Sequence, residues 1–536
     1  MKQTILTAIG LALLLPAGAA AQSAVDAYNI TPTQLRGTAR FVSMGGAFTS
    51  LGGDLSSLSQ NPAGIGIYRK SDVGLTFDIS FRGYKTDTDQ GSYKENQTKG
   101  FFDNFGYVGV IPLSGAMNSL SWGVSYNRAN AFDRRFHGYN MPTETSLSNY
   151  VASFTQGVNS TGMLFDDSKK YNPYLDSNND WLSILAYNSM IINNTTSDTE
   201  YAGLYQNGTV GDAMYDVREW GYTDEYNIDF AGNFNDVVFW GLGVGIVDME
   251  YNRDVNYSES MSGALIYDNK TNALTNGNAG FNLYNAKRTS GTGANIKFGM
   301  IVRPVEALRL GFAIHTPTWL HLQHQGYGKI DANYTPDGTQ DTNPTSEYTD
   351  NYDYDSRLNT PWRFMVGAST VIGSKAIVSI DYERVAYADM KMKYQDYSSS
   401  WGTNFVEDKA GNEDIKSYFK AANIIRVGAE YRITPSFSVR AGYNYQTSNV
   451  RDAAKDNRTE IYTAGTDPSY SFNNDTQNIS FGLGYRYQAW YIDLAYQHTN
   501  TKSTFHAYTP FAGLRTPQAD RSDSYNNIVI STGFRF

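Results

Sequence analysis

From about residue 72 onward, apolar and polar side chains alternate along the chain. In residues 119–127, Leu120, Trp122, Val124 and Tyr126 alternate with Ser119, Ser121, Gly123, Ser125 and Asn127. In 437–445, Phe437, Val439, Ala441, Tyr443 and Tyr445 oppose Ser438, Arg440, Gly442 and Asn444. Residues 479–487 and 490–497 repeat the pattern. Side chains of a strand point alternately to opposite faces, so each segment predicts a strand with one apolar face and one polar or small face.

A soluble β-sandwich alternates too, and the spacing of the segments separates the two. Fourteen candidate strands lie near 72–83, 101–111, 119–127, 222–234, 237–252, 282–303 and 308–324, then 356–372, 375–396, 422–433, 436–449, 476–487, 489–501 and 524–536. Short connections (112–118, 235–236, 304–307, 373–374, 434–435 and around 488) alternate with long ones (84–100, 128–221, 253–281, 325–355, 397–421, 450–475 and 502–523). A sandwich has no reason to sort its connections by parity. An outer-membrane barrel does, with periplasmic turns and longer external loops. In lipid every backbone N–H and C=O must be paired internally, which only helices and closed barrels achieve. After the N-terminus, no stretch approaches the roughly 18 apolar residues of a membrane helix. The expected fold is therefore all-β: a transmembrane antiparallel up-and-down β-barrel of about 14 strands over 71–536. Its last strand alternates Ile528, Ile530, Thr532, Phe534 and Phe536, with a terminal aromatic as in substrates of the barrel-assembly machinery. Outer-membrane lipids are the expected surroundings.

The first residues read differently. Lys2, an apolar run over 5–15 and Ala19-Ala20-Ala21 match a secretory signal peptide over 1–21, with cleavage expected before Gln22. Residues 22–70 are Gly-rich and alternate poorly. Met44, Ala47, Phe48, Leu51, Leu55 and Leu58 recur near helical spacing and need a surface to pack on, so we read a small plug, or hatch, in the barrel lumen.

Composition removes several chemistries. Cys is absent, so disulfides and thiolate sites are excluded, and a net charge of −10 without a basic block argues against nucleic acid. The 41 Tyr fit interfacial girdles. No G-x-S-x-G, H-E-x-x-H or phosphate loop is present, so no catalytic residue, metal site or cofactor is assigned. His321 and His324 lie three apart on a strand, where their rings should diverge, and the six His are read as solvated strand-end residues. Asp176-Ser177-Asn178-Asn179-Asp180 lacks the Gly and distal Glu of an EF-hand. Asp381, Glu383, Arg426, Glu430, Arg432, Arg440, Arg486 and Asp493 are read as a lumenal ladder of ion pairs between plug and wall.

The sequence resembles the FadL/TodX/OmpP1 family of outer-membrane transporters of hydrophobic compounds. The resemblance rests on Gly37-Thr38-Ala39-Arg40, Gly45-Gly46-Ala47, Asp54 and Asn61-Pro62-Ala63-Gly64 ahead of strand one. Further matches are Thr360-Pro361-Trp362-Arg363-Phe364, Asp381-Tyr382-Glu383-Arg384 and the stretch 426–443. It implies a fourteen-stranded barrel, an N-terminal hatch and a hydrophobic small-molecule ligand. The hatch residues it singles out are Arg40, Gly45, Gly46, Asp54, Asn61, Pro62, Ala63 and Gly64. The long second loop, with Trp181, Leu182, Ile184, Leu185, Met190, Ile191 and Ile192, suits ligand capture or packing on its neighbours, and packing is favoured.

The leading functional expectation is passive uptake of long-chain fatty acids or aromatic hydrocarbons through a hatch-plugged barrel. The alternatives are a protein-docking barrel of a secretion system, a haemin-binding receptor and, well below these, a lipolytic enzyme. A transporter should show an apolar lumenal pocket bordering residues 45–64. A docking barrel should have a sealed or polar lumen and a large apolar patch outside.

Overall fold

The computed structural model of the protein describes residues 22–373, 375–396 and 404–536. The expected signal peptide, Ser374 of one expected turn and residues 397–403 of one expected loop lie outside them. Strands β1 (Asp72–Thr88), β2 (Gly91–Pro112), β3 (Met117–Ala131, prolonged by Arg134–Thr143), β4 (Val210–Phe234), β5 (Val238–Asp268) and β6 (Ala273–Val305) form the first part of the wall. They are followed by β7 (Leu308–His315, then Trp319–Pro336), β8 (Tyr352–Asn359, then Arg363–Ile372), β9 (Ala376–Val385, then Lys391–Gln395) and β10 (Ala422–Arg432). The wall ends with β11 (Phe437–Gln446), β12 (Tyr470–Tyr487), β13 (Trp490–His506) and β14 (Gln518–Arg535). Each strand pairs antiparallel with the next.

β14 returns to β1, in register from Asp72 opposite Arg535 to Asp87 opposite Asp520. Ser71 and Phe536 exchange backbone hydrogen bonds of 3.1 and 3.0 Å at the foot of this seam. The sheet is thus a closed barrel of fourteen strands, although β2 and β3 are paired only from Asn104 opposite Asn127 to Pro112 opposite Ser119.

Its faces are inverted relative to a soluble protein. Along β12, Ile479, Phe481, Leu483 and Tyr485 are exposed, Phe481 by 55%, while Asn478 and Ser480 between them are buried. β13 repeats this, with Ile492, Leu494 and Tyr496 outside and Asp493 and Gln497 inside. Apolar residues outside and polar residues inside are stable only where lipid surrounds the wall.

The strands outrun the membrane. A crossing takes about 9–11 residues, whereas β5 and β6 have 31 and 33. The expected loops 84–100 and 253–281 are therefore mostly strand. Pairing continues through Arg82 opposite Gln97 and Tyr257 opposite Leu283. Beyond the bilayer an outward face need not be apolar, so the alternation fades while the ladder continues.

The second loop folds into a cap over the external end. Helices Leu147–Thr155 and Trp181–Asn188 and a two-stranded ribbon carry Leu182, Ile184, Leu185, Ile191 and Ile192 into a core with Phe136, Tyr215, Tyr257 and Phe505 of the wall. Trp181 and Met190 cover its edge. Of the two expectations for this loop, packing is what the fold displays.

Candidate functional site

The hatch consists of helices α1 (Ala24–Ile30), α2 (Ala39–Ser43) and α3 (Ser57–Gln60), followed by a 3-10 turn, Pro62–Ile67. α1 lies at the external end, where the Asn473 N–H donates to the Tyr28 hydroxyl (2.9 Å). The chain then descends to the foot of β1. α2 starts at Thr38, whose hydroxyl accepts from the Phe41 N–H, and it stops at Gly45 and Gly46. These two have φ of 63° and 75°, a region glycine enters without steric cost.

Asp54 Oδ1 accepts from the Thr38 hydroxyl (2.7 Å) and the Ser56 N–H (2.9 Å), tying the two halves of the hatch together. Asn61 Oδ1 accepts from the Ala63 N–H (3.0 Å), which starts the 3-10 turn. Its Nδ2 donates to the carbonyls of Thr49 (2.6 Å) and of Phe312 in β7 (3.4 Å). Pro62 takes the first position of that turn, where its missing N–H is not needed.

Contact between hatch and wall depends on inward glycines. A Cβ on Gly241 would overlap Pro62 and Ala63, and one on Gly299 would overlap Asn61. Gly311 and Gly367 admit Thr49, Gly428 and Gly442 admit Met44, and Gly482 admits Ser43. Gly74, Gly106 and Gly123 admit Leu55 and Leu58. Ten strands thus each give the hatch a close approach through glycine. Gly45 reciprocates, since a Cβ there would meet the Tyr443 backbone at 2.7 Å.

Polar ties complete the seat. Arg40 Nε pairs with Glu430 Oε2 (2.9 Å), and its Nη1 donates to the Gly53 carbonyl (3.1 Å). Arg440 joins Glu430 (2.7 Å) to Asp493 (2.6 Å). The Thr49 N–H donates to Asp381 (2.7 Å), and Arg363 (2.6 Å) and Arg426 both hold Glu383. The eight hatch residues singled out in the sequence all lie in this seat or brace it.

Two expectations are corrected. Arg432 and Arg486 are not in the lumenal ladder. They are exposed where β10 and β12 end, and line an opening of about 420 Å³ at the periplasmic mouth with Lys70, Arg309 and Arg535. Nor are all the histidines solvated. His315 is buried and bonds to the Gln60 carbonyl (2.9 Å), His506 is buried, and His324 sits between Thr289 (3.0 Å) and Ser356 (2.8 Å). β7 carries His315 and His324 on its inward face, the first against Gln60 of the hatch and the second beside Ser356, which bonds Gln22. His321 points outward, so the two rings of the pair do diverge.

The sequence reading also missed Arg36, which joins Asp78 (3.1 Å) and Asp103 (2.5 Å), and Lys297 with Glu225 (2.6 Å). Inward parity was the only signal that Asp78, Asp103, Glu225 and Lys297 carried, and Arg36, in the hatch, carried none.

On the external side of the hatch lies a chamber of about 240 Å³. It touches the hatch at Tyr28, residues 32–36, Phe41, Ser59 and Gln60. Tyr28, Leu35, Phe41, Phe132 and Ile424 give it apolar surface. Between them runs an amide ladder: Asn527 donates to Gln497 (3.2 Å), Gln497 to Asn478 (3.0 Å) and Asn478 to Asn444 (3.3 Å). The chamber is mixed rather than apolar. Besides the amides, Arg36, Arg128, Arg134, Arg363 and Arg426 line it with the carboxylates Glu225 and Asp523.

A family model described as an OmpA-like transmembrane domain matches residues 352–489, about a quarter of the chain. In the fold that stretch runs from β8 to the end of β12 as one arc of the larger barrel. No curated protein matches the sequence. Among solved structures, a FadL homologue of Pseudomonas aeruginosa is 12% identical with a TM-score of 0.53, covering 94% of this chain and 100% of that one. The toluene transporter TodX of Pseudomonas putida is 15% identical with a TM-score of 0.49, covering 94% and 99%. The first of these likenesses establishes a FadL-type barrel fold.

Proposed function

We propose that the protein is a passive channel of a bacterial outer membrane, taking hydrophobic compounds inward through the chamber and past the hatch. The observation that carries this reading is the hatch itself. It fills the lumen and is seated by hydrogen bonds, ion pairs and glycine contacts, all of which can open and re-form. The FadL-type fold and the Asn61-Pro62-Ala63-Gly64 turn support the same reading.

The mixed lining narrows the ligand. An apolar body fits against Phe41, Phe132 and Ile424, and a hydrogen-bonding end fits the amide ladder. The cation-rich periplasmic mouth favours an anionic end on the way out. Long-chain fatty acids have both features, whereas aromatic hydrocarbons have only the first. The test is uptake by cells that lack or express the protein, using a fatty acid and an alkane of equal length. Expression is expected to speed the acid more than the alkane. Equal rates with and without the protein would remove the transport reading.

A further inference from the structure

We infer that the mature chain begins with residue 22 closed into pyroglutamate, a five-membered lactam, rather than with a free glutamine. The inference goes beyond transport and rests on cleavage after Ala19-Ala20-Ala21, which makes Gln22 the first residue. Gln22 is only 5% exposed. Its Oε1 accepts from the Ser356 hydroxyl of β8 (3.3 Å), which also contacts His324 (2.8 Å). Its Nε2 is buried with no hydrogen-bond partner among the described residues. A buried donor left unpaired is destabilising, since it gives up its bond to water and gains none.

A free α-ammonium here would add a second misfit, because burying an unpaired charge is costlier still. Asp26 is the carboxylate at this end of the hatch, and both its oxygens are engaged. Oδ2 accepts from the Ser23 N–H and hydroxyl (3.0 Å each), and Oδ1 holds Lys287 (2.5 Å). Lys287 itself brings a positive charge to this end of the hatch.

Ring closure removes both misfits. The neutral α-nitrogen attacks Cδ, the Cδ–Nε2 bond breaks, and Nε2 leaves as ammonia with the proton that the α-nitrogen gives up. No oxidant or other co-reactant is needed. The atom without a partner is the leaving group, the ammonium becomes a neutral lactam N–H, and Oε1 stays as the acceptor for Ser356. Burial of Gln22 in the folded protein places the step before the barrel closes around the hatch.

The test labels primary amines of the unfolded protein, purified from outer membranes, before digestion and mass spectrometry. Blocking first prevents ring closure during work-up from being mistaken for the native state. The expected peptide spans 22–36, is lighter by one ammonia than its sequence requires and carries no amine label. Gln22→Ala, which cannot close, is expected to be labelled at residue 22 and so shows that the reagent reaches this end. A labelled Gln22, or a first residue other than 22, overturns the inference.

Discussion

Asn61 serves three partners at once: it caps the turn at Ala63, holds the Thr49 carbonyl and reaches Phe312 in the wall. Asn61→Ala deletes these bonds and leaves the Thr49 carbonyl unpaired, a loss of about 1–3 kcal/mol in hatch seating. The barrel ladder does not involve this side chain. Hydrogen exchange over 39–64 is therefore expected to rise while strand protection is unchanged. Gly299→Ala attacks the same contact from the wall, and overpacking of this kind costs about 1–3 kcal/mol. It should reproduce the same exchange pattern. If β6 lost protection and the hatch did not, the close approach would have been misread.

A different residue sets a pH dependence in the cap. Glu259 lies 21 positions beyond the start of β5, outside the bilayer, and accepts from the Tyr257 hydroxyl (2.6 Å) and the Leu147 N–H (2.9 Å). Burial pushes its carboxyl up from 4.5 to about 7. A raised carboxyl value makes its contribution to stability full below about 4.5 and lost as pH rises through about 7. The cap should resist proteolysis over 147–203 better at pH 5 than at pH 8, and Glu259→Gln should flatten that difference.

At the scale of elements, the fourteen strands were legible because lipid demands an apolar outer face and the lumen a polar inner one, which imposes period two. What was not legible follows from the same physics. Where β2 runs through Tyr93, Lys94, Glu95, Asn96 and Gln97, water bathes the outer face, alternation disappears and only the hydrogen-bond ladder with β1 persists. The hatch was legible from Asn61-Pro62 and the glycine pairs, but its wall partners Asp78, Asp103 and His315 were not. A lumenal side chain gives no sign of what stands across the bore. The cap shares its core with the external ends of the wall strands, and Leu185→Asp, which places a carboxylate among Ile184, Ile191 and Tyr257, should expose 147–203 to protease. The barrel should stay in the membrane fraction. Loss of the whole protein from that fraction would mean that cap and barrel fold as one.

At the scale of the molecule, the closed wall and the hatch within its bore make separate demands. The wall closes through β1 and β14, and the proposed passage from chamber to periplasmic mouth leads past the hatch, so this reading expects the hatch to shift. The chain has no cysteine, so a single engineered pair can lock it without side reactions. A Cβ built on Gly367 lies 3.1 Å from the Thr49 Cβ, near the roughly 3.5–4.5 Å separation of a disulfide. The most direct measurement is fatty-acid uptake by cells carrying Thr49→Cys with Gly367→Cys, oxidised and then reduced. Uptake is expected to fall to the level of cells lacking the protein when the pair is oxidised, and to return on reduction. Equal uptake in both states, with the crosslink verified, would contradict passage past a moving hatch.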